Sequence, residues 1–344
     1  MQQAAWPRHR FSVAPMMDYT DRHFRVLMRQ ITRHSLLYTE MVVAQALHHA
    51  RRQNPPGVAQ ERLERLIGFA PEEKPLALQV GGDDPQLLAE AAGLARDWGY
   101  DEINLNVGCP SEKVQKGRFG ACLMATPDQV ARCVEAMAAA SPLPVTVKHR
   151  IGIDERDSYG ELLEFVDTVA AAGAQRFCVH ARKAWLEGLD PKQNRTIPPL
   201  RHEVVHRLKR DRPQLQIELN GGLLTLEDCL THLQQKSVDG TMVGRAIYDH
   251  PLRWSGIDRL LFDDAEAAEH LAPSLVLRGL IPYADRWCRG GGRLWPIARH
   301  LVHLVEGVDG ARQWRHRFSQ AAGERQAGAT VLAQAAQELE QAGY

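Results

Sequence analysis

The chain has 344 residues and a formal net charge of zero, which suits an α/β barrel with an appendix and excludes a global polyanion-binding surface, so any nucleic-acid contact must be a local patch. Six scattered cysteines without paired or metal-type spacing argue against a disulfide framework or a zinc site and for a reduced, cytoplasmic protein. The opening MQQAAWPRHRFSVAP has no apolar leader-like run, and no apolar run approaches the ~20 residues a membrane span needs.

From Phe11 to about Tyr248, short apolar runs alternate with helical patterns. The predicted strands are FSVAP (11–15), LLYTEMVV (36–43), PLALQV (75–80), EINLNV (102–107), PVTVKHR (144–150), RFCVHA (176–181), QIELN (216–220) and GTMVG (240–244). Between them, DPQLLAEAAGLARDWG opens on an Asp cap and stops at Gly99. TPDQVARCVEAMAAAS has Thr126 at the cap and Pro127 at the first helical position. SYGELLEFVDTVAAAG closes on Gly173, and TLEDCLTHLQQ starts from Thr225. Eight strand-then-helix units predict a (β/α)8 barrel. The rival is a doubly wound open sheet, but VAPMMDYTD is not the Gly-rich turn that fold usually carries after its first strand.

Past Leu261 the pattern is helical: APSLVLRGLIPYADRWC, WPIARHLVHLVEGV and TVLAQAAQELEQA, with RGGGR between the first two. The expected division is a catalytic TIM barrel over 1–255 and a small all-helical C-terminal domain over 256–344. Between Arg278 and Arg317 stand eight arginines against three acids, with Trp287, Trp295 and Trp314 interleaved. Such a face suggests a phosphate-backbone partner. The alternative is a solvated helix face whose tryptophans anchor an interdomain core.

Barrel chemistry collects at the C-terminal ends of the strands. In chain order those ends offer Pro15, Met16 and Met17; Gln79; Asn104, Asn106 and then Cys109; Lys148 and Arg150; His180 and Arg182; Asn220, Gly221 and Gly222; Gly244 and Arg245. Gly-Gly after the seventh strand and Gly-Arg after the eighth lie where such barrels bind phosphate, because glycines let backbone N–H groups approach an anion. Lys148 on an otherwise apolar strand is costly to bury without a partner, and an electron-rich anionic ring such as a reduced flavin would give it one. Cys109 follows a strand end between Gly108 and Pro110, so its thiol can face the barrel mouth. Cys122 in GACLMA is expected to pack, and Cys133 and Cys178 read as structural.

These residues together resemble the flavin-dependent tRNA-dihydrouridine synthases. APMMDYTDRHFR is similar to that family's opening motif, ALQVGG to its flavin contact, and NLNVGCPSEKVQKGRFGACLM to its catalytic-loop signature. VTVKHRIG, ELNGG and DGTMVGRA continue the resemblance, and VHARKAWLEGLDPKQNRTIPPL further resembles the DusA subfamily, which modifies uridines 20 and 20a of the D-loop. The match runs from about Phe11 to Tyr248 and resumes at GARQWR (310–315). Departures are Met17 for a common Leu, Tyr19 for a frequent Trp, and a longer segment over 48–73.

The resemblance implies FMN as cofactor, NADPH as reductant and tRNA as partner, its target uridine flipped out of the folded loop. It implies Cys109 as the proton donor to carbon 5 of the uracil, with hydride delivered to carbon 6. It assigns Pro15, Met16, Met17, Gln79, Lys148, His180, Asn220, Gly221, Gly222, Gly244 and Arg245 to FMN, and Asn106 to the uracil. It assigns Lys192, Arg195, Arg312 and Arg315 to tRNA. No resident metal is expected. Two readings stay open beside it: a flavin barrel acting on a free pyrimidine, similar to dihydroorotate dehydrogenase, and a non-catalytic RNA-binding protein.

Overall fold

The computed structural model describes residues 10–344; residues 1–9, part of the segment read above for a leader, lie outside the described residues. The parallel strands are β1 (Phe11–Val13), β2 (Leu36–Tyr38), β3 (Val42–Val43), β4 (Leu76–Gly81), β5 (Glu102–Val107), β6 (Val145–Arg150), β7 (Arg176–His180), β8 (Gln216–Asn220) and β9 (Gly240–Val243). β1 pairs with both β2 and β9, while β2 and β3 both pair with β4, so the sheet closes on itself. β2 and β3 share one position in the ring, which leaves the eight positions of a (β/α)8 barrel. The run over 36–43, expected as one strand, breaks at Thr39–Met41. There the Thr39 hydroxyl accepts the Gln79 N–H at 3.1 Å and the Glu40 carboxylate accepts the Asp18 N–H at 2.5 Å.

Strand alternation separates two interiors. Ile103, Leu105 and Val107 join the large apolar core between sheet and helices. Inside the barrel a small apolar cluster of Ala14, Leu36, Tyr38, Ala77, Cys178 and Met242 surrounds buried charge. Arg176 pairs with Glu102 at 2.9 Å, and both are 2% exposed. Glu102 also accepts from Thr146 (2.5 Å) and Tyr38 (3.0 Å), and Glu218 accepts from Ser12 (2.5 Å) and Cys178 (2.6 Å). Burial opposes the charge on Arg176, and Glu102, Tyr38 and Glu218 more than restore it. A buried pair of this kind is tolerable because hydrogen bonds satisfy the carboxylate lone pairs; the Arg176 Nε–H makes no hydrogen bond and stands 3.8 Å from Glu218 Oε2.

The expected caps hold at two helices, Asp84 over Pro85–Asp97 and Thr225 over Leu226–Gln234, and Ser158, not predicted as a cap, forms a capping box with Glu161 over Tyr159–Ala171. Thr126 stands at the cap position of Pro127–Ala140 without a capping bond; its hydroxyl turns back to the Leu123 carbonyl at 3.4 Å.

After β9 the chain is helical. Helices Pro273–Arg289 and Thr330–Gln341 pack together, and Trp295–Leu301 packs on Arg22–Arg29 beside the barrel mouth. A further helix, Ala311–Gly323, carries GARQWR and was not among the predicted elements. The expected boundary at 255 falls next to Trp254, which is buried with its ring 5.7 Å from that of Phe11 on β1. Asp21 joins the two regions. Its Oδ1 accepts the His23 and Phe24 backbone N–H groups, both at 2.9 Å, and meets His300 Nε2 at 3.0 Å, while Oδ2 accepts from Arg299 at 2.7 Å. Burial opposes ionisation of Asp21, but these donors hold its carboxyl well below the usual carboxylate range.

The arginine-rich stretch is not a free basic face. Arg278, Arg286, Arg289, Arg299 and Arg317 form ion pairs with Glu340, Glu72, Asp285, Asp21 and Glu338. Arg293 and Arg315 donate to the backbone carbonyls of Gly323 and Val305. Trp314 is buried and stacked on Phe318, whereas Trp295 is exposed. No helix among the described residues is long and apolar enough to cross a membrane.

Candidate active site

The C-terminal ends of β4 to β8 converge on one mouth. On β5, alternation turns Asn104 and Asn106 inward, and both amides are built into the wall. Gln79 Nε2 donates to Asn104 Oδ1 and Asn106 Nδ2 donates to Gln79 Oε1, both at 2.8 Å. Asn104 Nδ2 continues to Thr146 at 2.8 Å. Asn106 Oδ1 accepts the backbone N–H groups of Gly108 (3.1 Å) and Cys109 (3.0 Å). Asn106 is therefore first an anchor for the cysteine loop, with one amide N–H left over for a ligand.

Arg150, at the end of β6, locks that loop from the other side. Its Nε donates to the Gly108 carbonyl at 3.0 Å, and its Nη1 reaches the carbonyls of Lys183 (3.1 Å) and Asn194 (2.8 Å). Gln115 adds a second tie, from the cysteine loop to the Leu186 carbonyl at 2.7 Å. Cys109 is thus half-buried on a braced loop. Cys122 is also half-buried, on the turn Gly120–Ala125, and its thiol donates to the Phe119 carbonyl at 3.1 Å. Burial pushes the Cys122 thiol up from the ordinary range, which leaves it poorly suited to give thiolate.

Beside the cysteine loop, from β6 round to β8, lies a cationic cradle. Lys148 Nζ donates to Asn220 Oδ1 at 3.0 Å, and Asn220 Nδ2 donates to the Met242 carbonyl at 2.8 Å. Burial pushes the Lys148 ammonium down to about 8, so the site favours a partner that carries negative charge. His180 is held neutral, its pKa forced well below the ordinary range by burial and then by Arg150 and Lys148. Its Nδ1 is buried without a hydrogen-bond partner, an unmet capacity that a ligand would satisfy. Gly221 and Gly222 follow β8 with φ of +101° and +77°. A Cβ on Gly221 would come 3.2 Å from His180 Nε2, and one on Gly222 would overlap Leu200 Cδ2. Only glycine fits this turn. Beside it, Arg245 is exposed just after Gly244, and its charge acts on both Arg182 and Arg195. Arg245 thus sits close to two other guanidinium groups near a glycine turn, a cluster whose charge an anion could neutralise.

The structure brings Gln79, Asn106, Cys109, Lys148, His180, Asn220 and the two glycine turns to one mouth. Met16 lies near Gly244, where an added Cβ would sit 3.3 Å from its sulfur. Pro15 is half-buried and Met17 is 53% exposed on the same segment. Arg195 belongs to this mouth too, close enough for Cys109 and Tyr19 to influence its charge. Lys192 and Arg312 are exposed, whereas the Arg315 guanidinium is engaged with Val305 at 2.8 Å. Sequence reasoning gave no role to Arg150 or Asn194. Arg150 could have been found from the inward alternation of Thr146, Lys148 and Arg150. Asn194, fully buried and bonded to Trp185 and Leu189, gave no signal within its loop sequence. A cavity of about 560 Å³ lies away from the mouth, between Leu226, Leu252 and Leu304; it shares none of these side chains.

A family model described as dihydrouridine synthase (Dus) matches residues 12–340. The chain is 56% identical over 330 residues to a tRNA-dihydrouridine(20/20a) synthase of Synechocystis sp., covering 95% of this chain and 91% of that one. It is 48% identical over 330 residues to the enzyme of that name from Shewanella oneidensis (96% and 94% covered) and 47% identical over 324 residues to that of Escherichia coli K12 (94% and 89%). Among solved structures, a 2-naphthoyl-CoA reductase in complex with 2-naphthoyl-CoA aligns over 74% of this chain and 50% of its own length, with a TM-score of 0.52 and 9% identity. At that identity the likeness speaks for the barrel fold alone.

Proposed function

Since the chain belongs to the dihydrouridine synthase family, a family of oxidoreductases, we infer that its barrel mouth reduces uridine to 5,6-dihydrouridine in the D-loop of tRNA, at positions 20 and 20a. The observation that carries this reading is the meeting, in one mouth, of a thiol on a braced loop with a glycine-lined cationic cradle.

FMN fits the cradle by its chemistry: an unmet imidazole nitrogen on His180, a turn that admits no Cβ, and a lysine that favours an anion. Asn220, Gly221, Gly222, Gly244 and Arg245 would hold its phosphate. Lys148 and Gln79, with Pro15, Met16 and Met17, would line its ring, and Lys148 would balance charge gathered there. When bound, FMN reduced by NADPH supplies the hydride that adds to carbon 6 of the uracil.

The chain's own part is to position and to protonate. Asn106 and Arg150 hold the Cys109 loop from two sides, and the spare amide N–H of Asn106 is left to orient the ring. As the carbon–carbon double bond is lost, its electron pair takes a proton at carbon 5 from Cys109 Sγ, and the thiolate recovers a proton from water. Lys192 and Arg195 would meet the phosphates around the flipped nucleotide. Residues 256–344 act as the tRNA-binding domain beside the catalytic barrel of 1–255, with Arg312 and Arg315 among its contacts. A tRNA substrate makes the working compartment the cytoplasm.

The test is direct. Purified protein is expected to carry a yellow flavin spectrum and, with NADPH and unmodified tRNA, to form dihydrouridine that sequencing maps to the D-loop. Colourless protein that forms none would overturn the reading.

A further inference from the structure

On the outer helical layer, away from the thiol, three histidines gather. His202 and His206 lie one turn apart on helix His202–Asp211, in the sequence HEVVH. His232 faces them from the last turn of Leu226–Gln234. The ring centroids of His202 and His206 are each 5.0 Å from that of His232 and 6.4 Å from each other. All three side chains are partly exposed, so an ion could reach them from solvent. We propose that His202, His206 and His232 form a binding site for a borderline divalent cation of the zinc class.

Three details support the assignment. His206 Nε2 and His232 Nδ1 stand 3.1 Å apart. Two imidazole nitrogens on one tetrahedral zinc ion stand about 3.3 Å apart, given metal–nitrogen bonds of about 2.0–2.1 Å. The pair is thus spaced for an ion in place of the proton it shares. His202 Nε2 meets the Gly221 carbonyl at 2.7 Å. A carbonyl only accepts, so Nε2 carries the hydrogen and, in the neutral ring, Nδ1 carries the lone pair. A ligand imidazole whose other nitrogen donates to a backbone carbonyl is the usual outer-shell arrangement of a metal site. Rings on one such ion have centroids about 5 Å apart by the same bond lengths; the three rings do not yet place one nitrogen each within 4.8 Å of the others, so the His202 ring must turn toward the His206–His232 pair as the ion binds. Two histidines at i and i+4 on a helix face are a known ligand spacing.

The site does not read as hydrolytic. In metalloproteases with this spacing the glutamate after the first histidine serves as general base. Here Glu203 turns to Arg201, 3.8 Å away, and Asp228 is engaged in capping Leu226–Gln234. With three imidazoles, no thiolate and water for the fourth position, the set suits zinc, nickel or copper(II) better than magnesium or calcium.

The test is calorimetric titration of zinc chloride into the untagged full-length protein as purified. The parent is expected to bind one equivalent saturably. His206→Gln and His232→Gln are each expected to weaken that binding by about tenfold or more, and His49→Gln, an exposed histidine on another helix, is expected to leave it unchanged. No saturable binding by the parent, or a loss confined to one of the two variants, overturns the shared site. Should either variant fail to fold, zinc protection of the parent's histidines from diethyl pyrocarbonate, mapped by peptide mass, gives the same reading. Joint protection of His206 and His232 supports the site, and labelling that zinc does not alter overturns it.

Discussion

Gly222→Ala puts the cradle geometry to a quantitative test. Two costs act at this position. For a residue with a Cβ at φ +77°, the left-handed conformation costs roughly 1–2 kcal/mol. The new methyl would also overlap Leu200 Cδ2, the far end of a half-buried side chain that must swing aside, at about 1 kcal/mol, the low end of the overpacking range. Their sum is about 2–3 kcal/mol. Gly99 supplies the control, because it has φ +81° but no atom within 4 Å of the place a Cβ would take. Gly99→Ala should therefore cost only the conformational part, and the difference between the two variants isolates the steric part. The assay is urea unfolding of both variants, with the flavin-to-protein absorbance ratio measured on the folded material. We expect Gly222→Ala to be the less stable by about 1 kcal/mol and to lose flavin, while Gly99→Ala keeps it. Equal stability with full flavin in both would refute the argument that this turn has no room for a side chain.

Other outcomes follow from the same geometry. Cys109→Ala is expected to lower the rate of dihydrouridine formation by about 10²–10⁴-fold while NADPH oxidation by the bound flavin persists; Cys122→Ala should turn over nearly normally, and comparable losses in both would shift the proton donor away from Cys109. In flavin-free protein, Lys148→Met should not destabilise at pH 7, since burial already disfavours the ammonium. Because the folded pKa of Lys148 lies near 8, below its ordinary 10.5, its contribution is present above about 10.5 and lost as pH falls through about 8. The parent should accordingly gain stability relative to Lys148→Met between those values, and parallel pH profiles would contradict this. Arg176→Met strands Glu102 and Glu218 in the barrel and should cost about 3–5 kcal/mol. Burial already raises the Glu102 pKa, and loss of the cation raises it further, so the deficit should widen in urea melts as pH rises from about 4 toward neutrality. Arg312→Ala should reduce the salt slope of tRNA binding by about one; Arg315→Ala should do the same and, by freeing the Val305 carbonyl, should also lower thermal stability.

The barrel was legible because eight apolar strand runs alternate with helical segments, and two of the strands, β5 and β6, also set polar residues between their Val, Leu and Ile. Glu102, Asn104 and Asn106 on β5 and Thr146, Lys148 and Arg150 on β6 could only have faced a wet or charged interior, and they do. Partners were not legible. The arginines between 278 and 317 read as a basic face because Glu72, Glu340 and Asp21, which neutralise three of them, are distant in sequence. Helix Ala311–Gly323 was missed although Ala311, Trp314, Phe318 and Ala322 form its buried stripe; the charged residues between them masked the period. Asn106 was assigned to substrate, and nothing local in the sequence reveals that two of its bonds go to Gly108 and Cys109.

Asp21 has a mechanical consequence. One carboxylate begins helix Arg22–Arg29, directly after the mouth segment with Met16 and Met17, and grips Arg299 and His300 of the neighbouring helical region. A load applied to Trp295–Leu301 therefore cannot be absorbed by a hinge at this junction. It passes through two charge-assisted bonds to the first turn of the barrel's own helix. A substrate gripped by the helices would meet the mouth at a set distance, as if measured against a ruler.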